Sequence, residues 1–290
     1  MKIQTMSVVA GDERCNAHCP FCIGKVTINE KLVTKSPEIN KPKLRKAVML
    51  AKQGGVTHII ITGKGEPTLN LRQITEFVKL LSKDFPFIEL QTNGLNLLDN
   101  EDTVKVWADN GLTAISISVV HFSRRRNAEI YTRGKLYPDL NEITKLLHRH
   151  GILARLNFTM MHGYISSTLE FQEAVNYSKE IGVDHLTFRP LSFPTNPNPE
   201  HKEINDWIME HTLNSSTLHE LRKYPEYNGG IKLMQLPHGG VVYDFQGQNL
   251  CMTDCLTMSP SSEDGLRQII FYPSGKLTYD WQYKGAILMR

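Results

Sequence analysis

Cys15, Cys19 and Cys22 fall within one eight-residue run, Cys15-Asn16-Ala17-His18-Cys19-Pro20-Phe21-Cys22. Three thiolates this close can hold three irons of a cubane cluster and leave the fourth iron without a protein ligand. An iron with an open position binds a substrate or cofactor directly, so such a cluster can do chemistry as well as carry electrons. Zinc is the competing metal. It favours paired cysteine knuckles and closes with four ligands, and His18 is the only fourth donor nearby in the sequence.

Such a site needs a scaffold, and the chain is long enough for one large α/β domain with a small appendage, at 290 residues, 40% hydrophobic and 22% charged. A net charge of +3 gives no case for a nucleic-acid partner. No apolar stretch approaches the ~18 residues that span a bilayer, and Met1-Lys2-Ile3-Gln4 leads straight into a strand-like run, so the expected location is cytoplasmic. A reducing compartment suits free thiolates better than a disulfide framework does.

Strand-like and helix-like patterns alternate along the first two-thirds. Strands are predicted at residues 3–9, 56–62, 87–91, 114–120, 152–159 and 185–189, with helices at 42–53, 71–81, 102–110, 139–150 and 169–181. The β-branched run Val56–Thr62 suits a strand buried on both faces. Six strand-then-helix units imply a parallel sheet with right-handed crossovers, either a partial barrel or an open doubly wound sheet. Three prolines in Ser192–Pro199 mark a linker. A helix-like stretch over 202–222 and a small β region follow it.

The cysteine spacing, with the aromatic Phe21 just before the last cysteine, resembles the radical S-adenosylmethionine (radical SAM) enzymes. That resemblance implies an α/β fold, a partial (β/α)6 TIM-type barrel over 1–191. It also implies a small C-terminal α+β extension over 192–290 covering the barrel mouth. In parallel barrels the chemistry sits at the C-terminal strand ends, and the cysteine loop directly follows strand one.

Thr62-Gly63-Lys64-Gly65-Glu66-Pro67 follows strand two. It resembles the family's Gly-Gly-Glu-Pro motif, whose backbone pairs with the amino group of the SAM methionine, although Lys64 stands between Gly63 and Gly65. Taken alone, the segment also fits an ordinary strand-to-helix loop. By the same resemblance Asn93, in Gln91-Thr92-Asn93-Gly94, sits at a cofactor-facing strand end. Ser118 matches a serine that contacts the ribose, Arg155 a basic residue that pairs with the SAM carboxylate, and Phe21 packs near the adenine. Each also has a plain structural role open to it: a turn asparagine, a strand serine, a solvated arginine, a core aromatic.

Arg124-Arg125-Arg126 after strand four reads either as a solvated face or as a loop that binds an anionic substrate over the mouth. Arg189, at the end of strand six, carries the same two readings. Near the C-terminus, Cys251 and Cys255 precede a hairpin over 268–277 with Pro-Ser-Gly at its turn. The pattern resembles a degenerate SPASM or twitch extension, which carries auxiliary iron–sulfur clusters. No cysteine follows the hairpin here, and two cysteines cannot complete a four-thiolate site. The auxiliary cluster is then lost, kept with Asp254 or Asp280 as ligands, or completed by the substrate; the incomplete set favours loss.

The resemblance thus implies a [4Fe–4S] cluster on Cys15, Cys19 and Cys22, with SAM chelating the open iron. Reductive cleavage of SAM would give a 5′-deoxyadenosyl radical that abstracts hydrogen from a peptide or small metabolite. It also implies a flavodoxin- or ferredoxin-type electron donor. Tyr164, His121 and the C-terminal thiols are all open as hydrogen donors, so the catalytic residue is unassigned. The alternatives are a nucleotide-modifying enzyme of the molybdopterin-synthesis type and a non-catalytic iron–sulfur or zinc protein.

Overall fold

Period-two alternation is the rule that builds this scaffold: in each central strand apolar residues point one way and polar residues the other. Ile59 and Ile61, Ile88 and Leu90, Ile115 and Ile117, Leu156 and Phe158, and Leu186 and Phe188 are all fully buried. They join one core with the helix residues Phe77, Leu81, Trp107, Ile143 and Leu147. The opposite faces carry His58, Glu89, Ser116, Arg155, Asn157, Thr159, His185 and Arg189. The second strand is fully buried only towards the helices; its other face, with His58, Ile60 and Thr62, is half-buried.

The computed structural model describes residues 1–26, 38–195, 197–236, 239–254 and 265–290. Strand β1 (Lys2–Val9) runs into the cysteine loop and the short helix α1 (Ile23–Val26). Five strand-and-helix steps follow: α2 (Lys41–Gln53), β2 (His58–Thr62), α3 (Leu71–Leu81), β3 (Phe87–Thr92) and α4 (Glu101–Asp109), then β4 (Ala114–Val119), α5 (Arg124–Tyr131), α6 (Leu140–Arg149), β5 (Leu153–Met160), α7 (Thr168–Glu180) and β6 (His185–Pro190). Side-chain caps fix several helix starts. Asn40 accepts from the Lys43 N–H at 3.1 Å and Asp139 from the Asn141 N–H at 2.8 Å, each satisfying a donor the helix leaves open.

The six strands pair parallel in the order β1 to β6, the wall of a partial barrel. The C-terminal region does not form a separate sheet. After α8 (Lys202–His211) and α9 (Ser215–Tyr227), the strands β7 (Ile231–Gln235), β8 (Val241–Phe245) and β9 (Gln248–Met252) extend the β6 edge, with β9 parallel to β6. Then β10 (Gly265–Phe271), β11 (Leu277–Thr278) and β12 (Ile287–Met289) extend the β1 edge, with β10 parallel to β1. Twelve described strands thus make one sheet. No helix among the described residues is long and apolar enough to cross a membrane.

Two sequence expectations change. The helix expected over 202–222 is two helices, because Thr212 turns extended and Asn214 starts α9 by accepting from the Thr217 N–H at 2.8 Å. The arginine loop is not a loop. Arg124 opens α5, with Asn127 folding the chain back by accepting from the N–H groups of Val120 and His121. Three consecutive arginines erase the apolar periodicity that would announce this helix, although Ala128, Ile130 and Tyr131 on its buried face preserve a trace of it.

Candidate active site

The cysteine loop takes its shape from hydrogen bonds laid down just before it. The buried Asp12 carboxylate accepts from the Arg14 N–H at 2.9 Å and from its guanidinium, which turns the chain into Cys15. Burial raises the Asp12 carboxyl, but the bonds and charge of Arg14 outweigh it and hold it below its ordinary value. The loop after β2 then straps itself onto this turn: the Gly65 N–H donates to the Asp12 carbonyl at 3.1 Å and the Glu66 N–H to the Arg14 carbonyl at 2.9 Å. A β-carbon at Gly65 would fall within 3.0 Å of the Arg14 carbonyl oxygen, so the strap can lie here only with glycine. We expect Gly65→Ala to part strap from loop and destabilise the fold by about 1–3 kcal/mol, read by chemical denaturation. Gly285→Ala, with open space around it, is expected to leave stability unchanged; equal stability of both variants would remove the packing argument.

Glu66 serves the strap from below. Its carboxylate accepts from the Thr68 N–H at 2.9 Å and hydroxyl at 2.7 Å, from the Thr92 hydroxyl at 2.6 Å and from the Asn93 N–H at 2.9 Å. The motif glutamate is thus committed to protein and locks the end of β3 to the strap. Asn93 passes the connection on, donating to the Asn16 side chain at 2.8 Å and to the Cys15 sulfur at 3.8 Å. From α5, the Tyr131 carbonyl accepts from the His18 N–H at 2.9 Å. The loop is therefore held from three strand ends and one helix, with its thiols facing the barrel mouth.

A cavity of about 250 Å³ opens there. Cys15, Cys19, Cys22, Phe21, Gly63, Gly65, Glu66, Pro67, Asn93, Ser118 and Arg189 all line it, and so do Lys64, Tyr131, Thr159, Ile208 and Trp281. The last five carried no cofactor or anion role in the sequence reading; Tyr131, Ile208 and Trp281 are ordinary core types whose placement depends on long-range packing. Phe21 stacks on Trp207 of α8 at 5.6 Å between ring centres, and Trp207 stacks on His211 at 3.7 Å, so an aromatic ladder from the C-terminal region steadies the loop.

Burial pushes the Cys19 thiol far up, and the nearby Cys22 and Cys15 add to it. Desolvation, then Glu66 and Cys22, also raise Cys15. Two neighbouring thiols, Cys15 and Cys19, that resist ionisation suit a cationic iron–sulfur core, which would hold them as thiolates. Among the described residues no three His, Cys, Asp or Glu side chains close on a single ion, as a tetrahedral zinc would require. His18 is exposed and does not line this cavity, but it lines an adjoining groove that Cys15, Cys19 and Cys22 also line. Three thiols lining one cavity are the donor set that a cubane cluster would need.

Arg155 requires a correction. It lies near the N-terminal end of β5, away from the mouth, and its guanidinium pairs with the buried Glu89 at 2.6 Å. Arg155 does not line the cavity. The arginine triplet is also engaged outside it: Arg124 donates to the Tyr137 carbonyl, Arg125 and Arg126 pair with Glu129, and Arg126 also caps the Gly163 carbonyl and the Tyr164 ring. Their charge suits an anion, but local acids and carbonyls engage these arginines instead. Tyr164 and His121 likewise stand outside the lining. Cys251 is half-buried on β9, its thiol pushed up to about 11 by burial against the opposing charge of Arg155. Cys255 lies outside the described residues. Asp254 pairs with Arg222, and Asp280 accepts from the N–H groups of Gln282 and Tyr283.

A family model described as the radical SAM superfamily matches residues 13–207. The chain is 24% identical over 235 residues to a GTP 3′,8-cyclase of Aeromonas hydrophila, covering 76% of this chain and 67% of that protein. It is 22% identical to a probable dual-specificity RNA methyltransferase RlmN of Streptococcus pyogenes, covering 69% of this chain and 56% of that one. Among solved structures, SuiB of Streptococcus suis bound to S-adenosylmethionine superposes with a TM-score of 0.62 at 18% identity, over 95% of this chain and 60% of SuiB. The chain thus spans little more than half the length of two of these proteins.

Proposed function

Since the chain belongs to the radical SAM superfamily and is an enzyme of that kind, we propose that Cys15, Cys19 and Cys22 hold a [4Fe–4S] cluster and that the same cavity binds SAM to act on a peptide or small metabolite. One observation carries the reading: the three thiols, the Gly63–Pro67 strap and the ends of β3 and β4 line a single cavity. When bound, the cluster and SAM supply reductive cleavage of the sulfonium and a carbon radical able to take hydrogen from an unactivated position.

The chain's own residues position and enclose. Gly63 and Gly65 bring backbone to the cavity wall where the methionine amino group would lie, Ser118 offers its hydroxyl to the ribose, and Phe21, fixed by Trp207, offers a flat face to the adenine. Leu191, Ile208 and Trp281 add apolar surface to the cavity lining, which would help to keep water from the reacting carbon. A flavodoxin- or ferredoxin-type protein would supply the electron. Cys251 and Cys255 would serve as thiols without a cluster.

The test is anaerobic reconstitution followed by dithionite and SAM, with 5′-deoxyadenosine followed by chromatography. Cluster-dependent product is expected. A full, reducible cluster with no SAM binding would overturn the reading in favour of a non-catalytic iron–sulfur protein. A nucleotide substrate is the second reading, favoured by the similarity to a GTP 3′,8-cyclase; a deoxyadenosine yield that rises with GTP and not with peptide would select it.

A further inference from the structure

We infer that Arg189 anchors an oxyanion of the substrate, a carboxylate or a phosphate, on the β6 side of the cavity; this rests on the cofactor site proposed above. Arg189 is next to Thr159 in the β5–β6 register, and both side chains line the cavity. Among the described residues its guanidinium makes no hydrogen bond or ion pair, and it stands outside those with further partners. Among the described residues the single carboxylate in the lining, Glu66, is filled by Thr68, Thr92 and Asn93. The three arginines of α5 are held by Tyr137, Glu129 and Gly163. A half-buried guanidinium without a partner has lost part of its hydration for nothing in return, and a planar oxyanion held by two parallel N–H bonds restores it.

Position separates substrate from cofactor. The amino and carboxylate groups of SAM share one carbon, so a cation serving that carboxylate belongs beside the strap at the end of β2. β6 lies four strands further along the curved wall, so Arg189 faces the strap from another side of the cavity they both line. Arg189 is thereby left to a second molecule. Trp281, from the β1 edge of the sheet, lines the same cavity and offers a flat apolar surface to the rest of that molecule.

The experiment titrates reconstituted, SAM-loaded protein with inorganic pyrophosphate and, separately, with succinate by calorimetry, after measuring SAM affinity. Saturable binding of one of the two is expected, and it identifies the anion as phosphate-like or carboxylate-like. Arg189→Met should weaken that binding at least tenfold and leave SAM affinity and iron content unchanged. Arg189→Lys, which keeps the charge and loses the paired bonds, should fall between. Arg125→Met, exposed and outside the cavity, should change nothing. Binding of neither anion, or anion binding indifferent to Arg189→Met, would overturn the inference. So would a SAM affinity that drops with the variant, which would give Arg189 to the cofactor. Failure of the wild-type protein to bind SAM would instead sink the proposed function.

Discussion

Cys19→Ala protein, reconstituted anaerobically, is expected to retain close to no cluster iron, against about four irons per chain in the wild type. Each of the three cavity thiols would hold one iron, and two remaining ligands cannot keep a cube whose fourth iron has no protein donor. Cys19→Ser should lose iron as fully, since a hydroxyl is a poor ligand for these soft metals. The serine variant also controls for packing, because the Cys19 side chain lies against the main core and serine nearly preserves its volume. Cys251→Ala is the internal comparison: its thiol sits on β9, outside the cavity, and its iron content should match the wild type. Iron and the cluster absorbance near the visible edge are measured directly, so the result does not depend on knowing the substrate. Undiminished iron in either Cys19 variant would remove the ligand assignment; a loss of iron in Cys251→Ala would revive an auxiliary cluster.

Arg155→Met is expected to destabilise the protein by about 3–5 kcal/mol, the cost of leaving a buried charge without its partner. Glu89 is 2% exposed and lies within the barrel wall, paired with Arg155 at 2.6 Å. Burial raises its carboxyl, yet Arg155, then His58, the Gln91 bond and His185 outweigh burial and hold it below the ordinary value. His58 and His185 are pushed down by burial, with Arg155 adding to the effect and Glu89 opposing it.

The signs give a distinctive pH dependence. The folded protein binds fewer protons than the unfolded chain at all three groups. Wild-type stability is therefore full at neutral pH, falls as pH drops below about 6.5 through the histidines, and falls again below about 4.3 through Glu89. In Arg155→Met the carboxyl loses its counter-charge, so burial raises its folded value and protonation relieves the strain. The gap between variant and wild type should then narrow as pH falls. Denaturation midpoints from pH 8 to 4 check this, and a gap that is constant with pH would show that Arg155 acts only by filling space. The double variant Glu89→Gln with Arg155→Met should recover much of the loss, because no bare charge remains.

This ion pair also shows where sequence reasoning stops. Arg155 has the residue type and the strand that a carboxylate-binding arginine would have, and its alternation with Asn157 and Thr159 puts it on the inner face of the barrel. Depth along the strand decides its role. Arg155 is the third residue of β5, at the closed end, where Glu89 meets it; Arg189 is the fifth residue of β6, at the mouth. A shift of a few residues in pairing register exchanges those positions, and register is fixed by contacts between distant segments. The arginines of α5 were hidden for a related reason: which carbonyl or acid a long cation reaches depends on neighbours that are far apart in sequence, such as Gly163 for Arg126.

What the sequence determined by itself was local. The cysteine spacing, the glycines of the strap and the strand-helix alternation each depend on a few neighbouring residues, and helix α3 falls on residues 71–81 as its periodicity requires. Only the tertiary structure decided that Glu66 locks the strap to the end of β3, that the C-terminal strands extend both edges of the barrel sheet, and that Trp281 and Arg189 share one cavity. The physical reason is that spacing along a chain fixes which atoms one loop can bring together. Partners drawn from opposite edges of a twelve-stranded sheet are chosen by the packing of the whole.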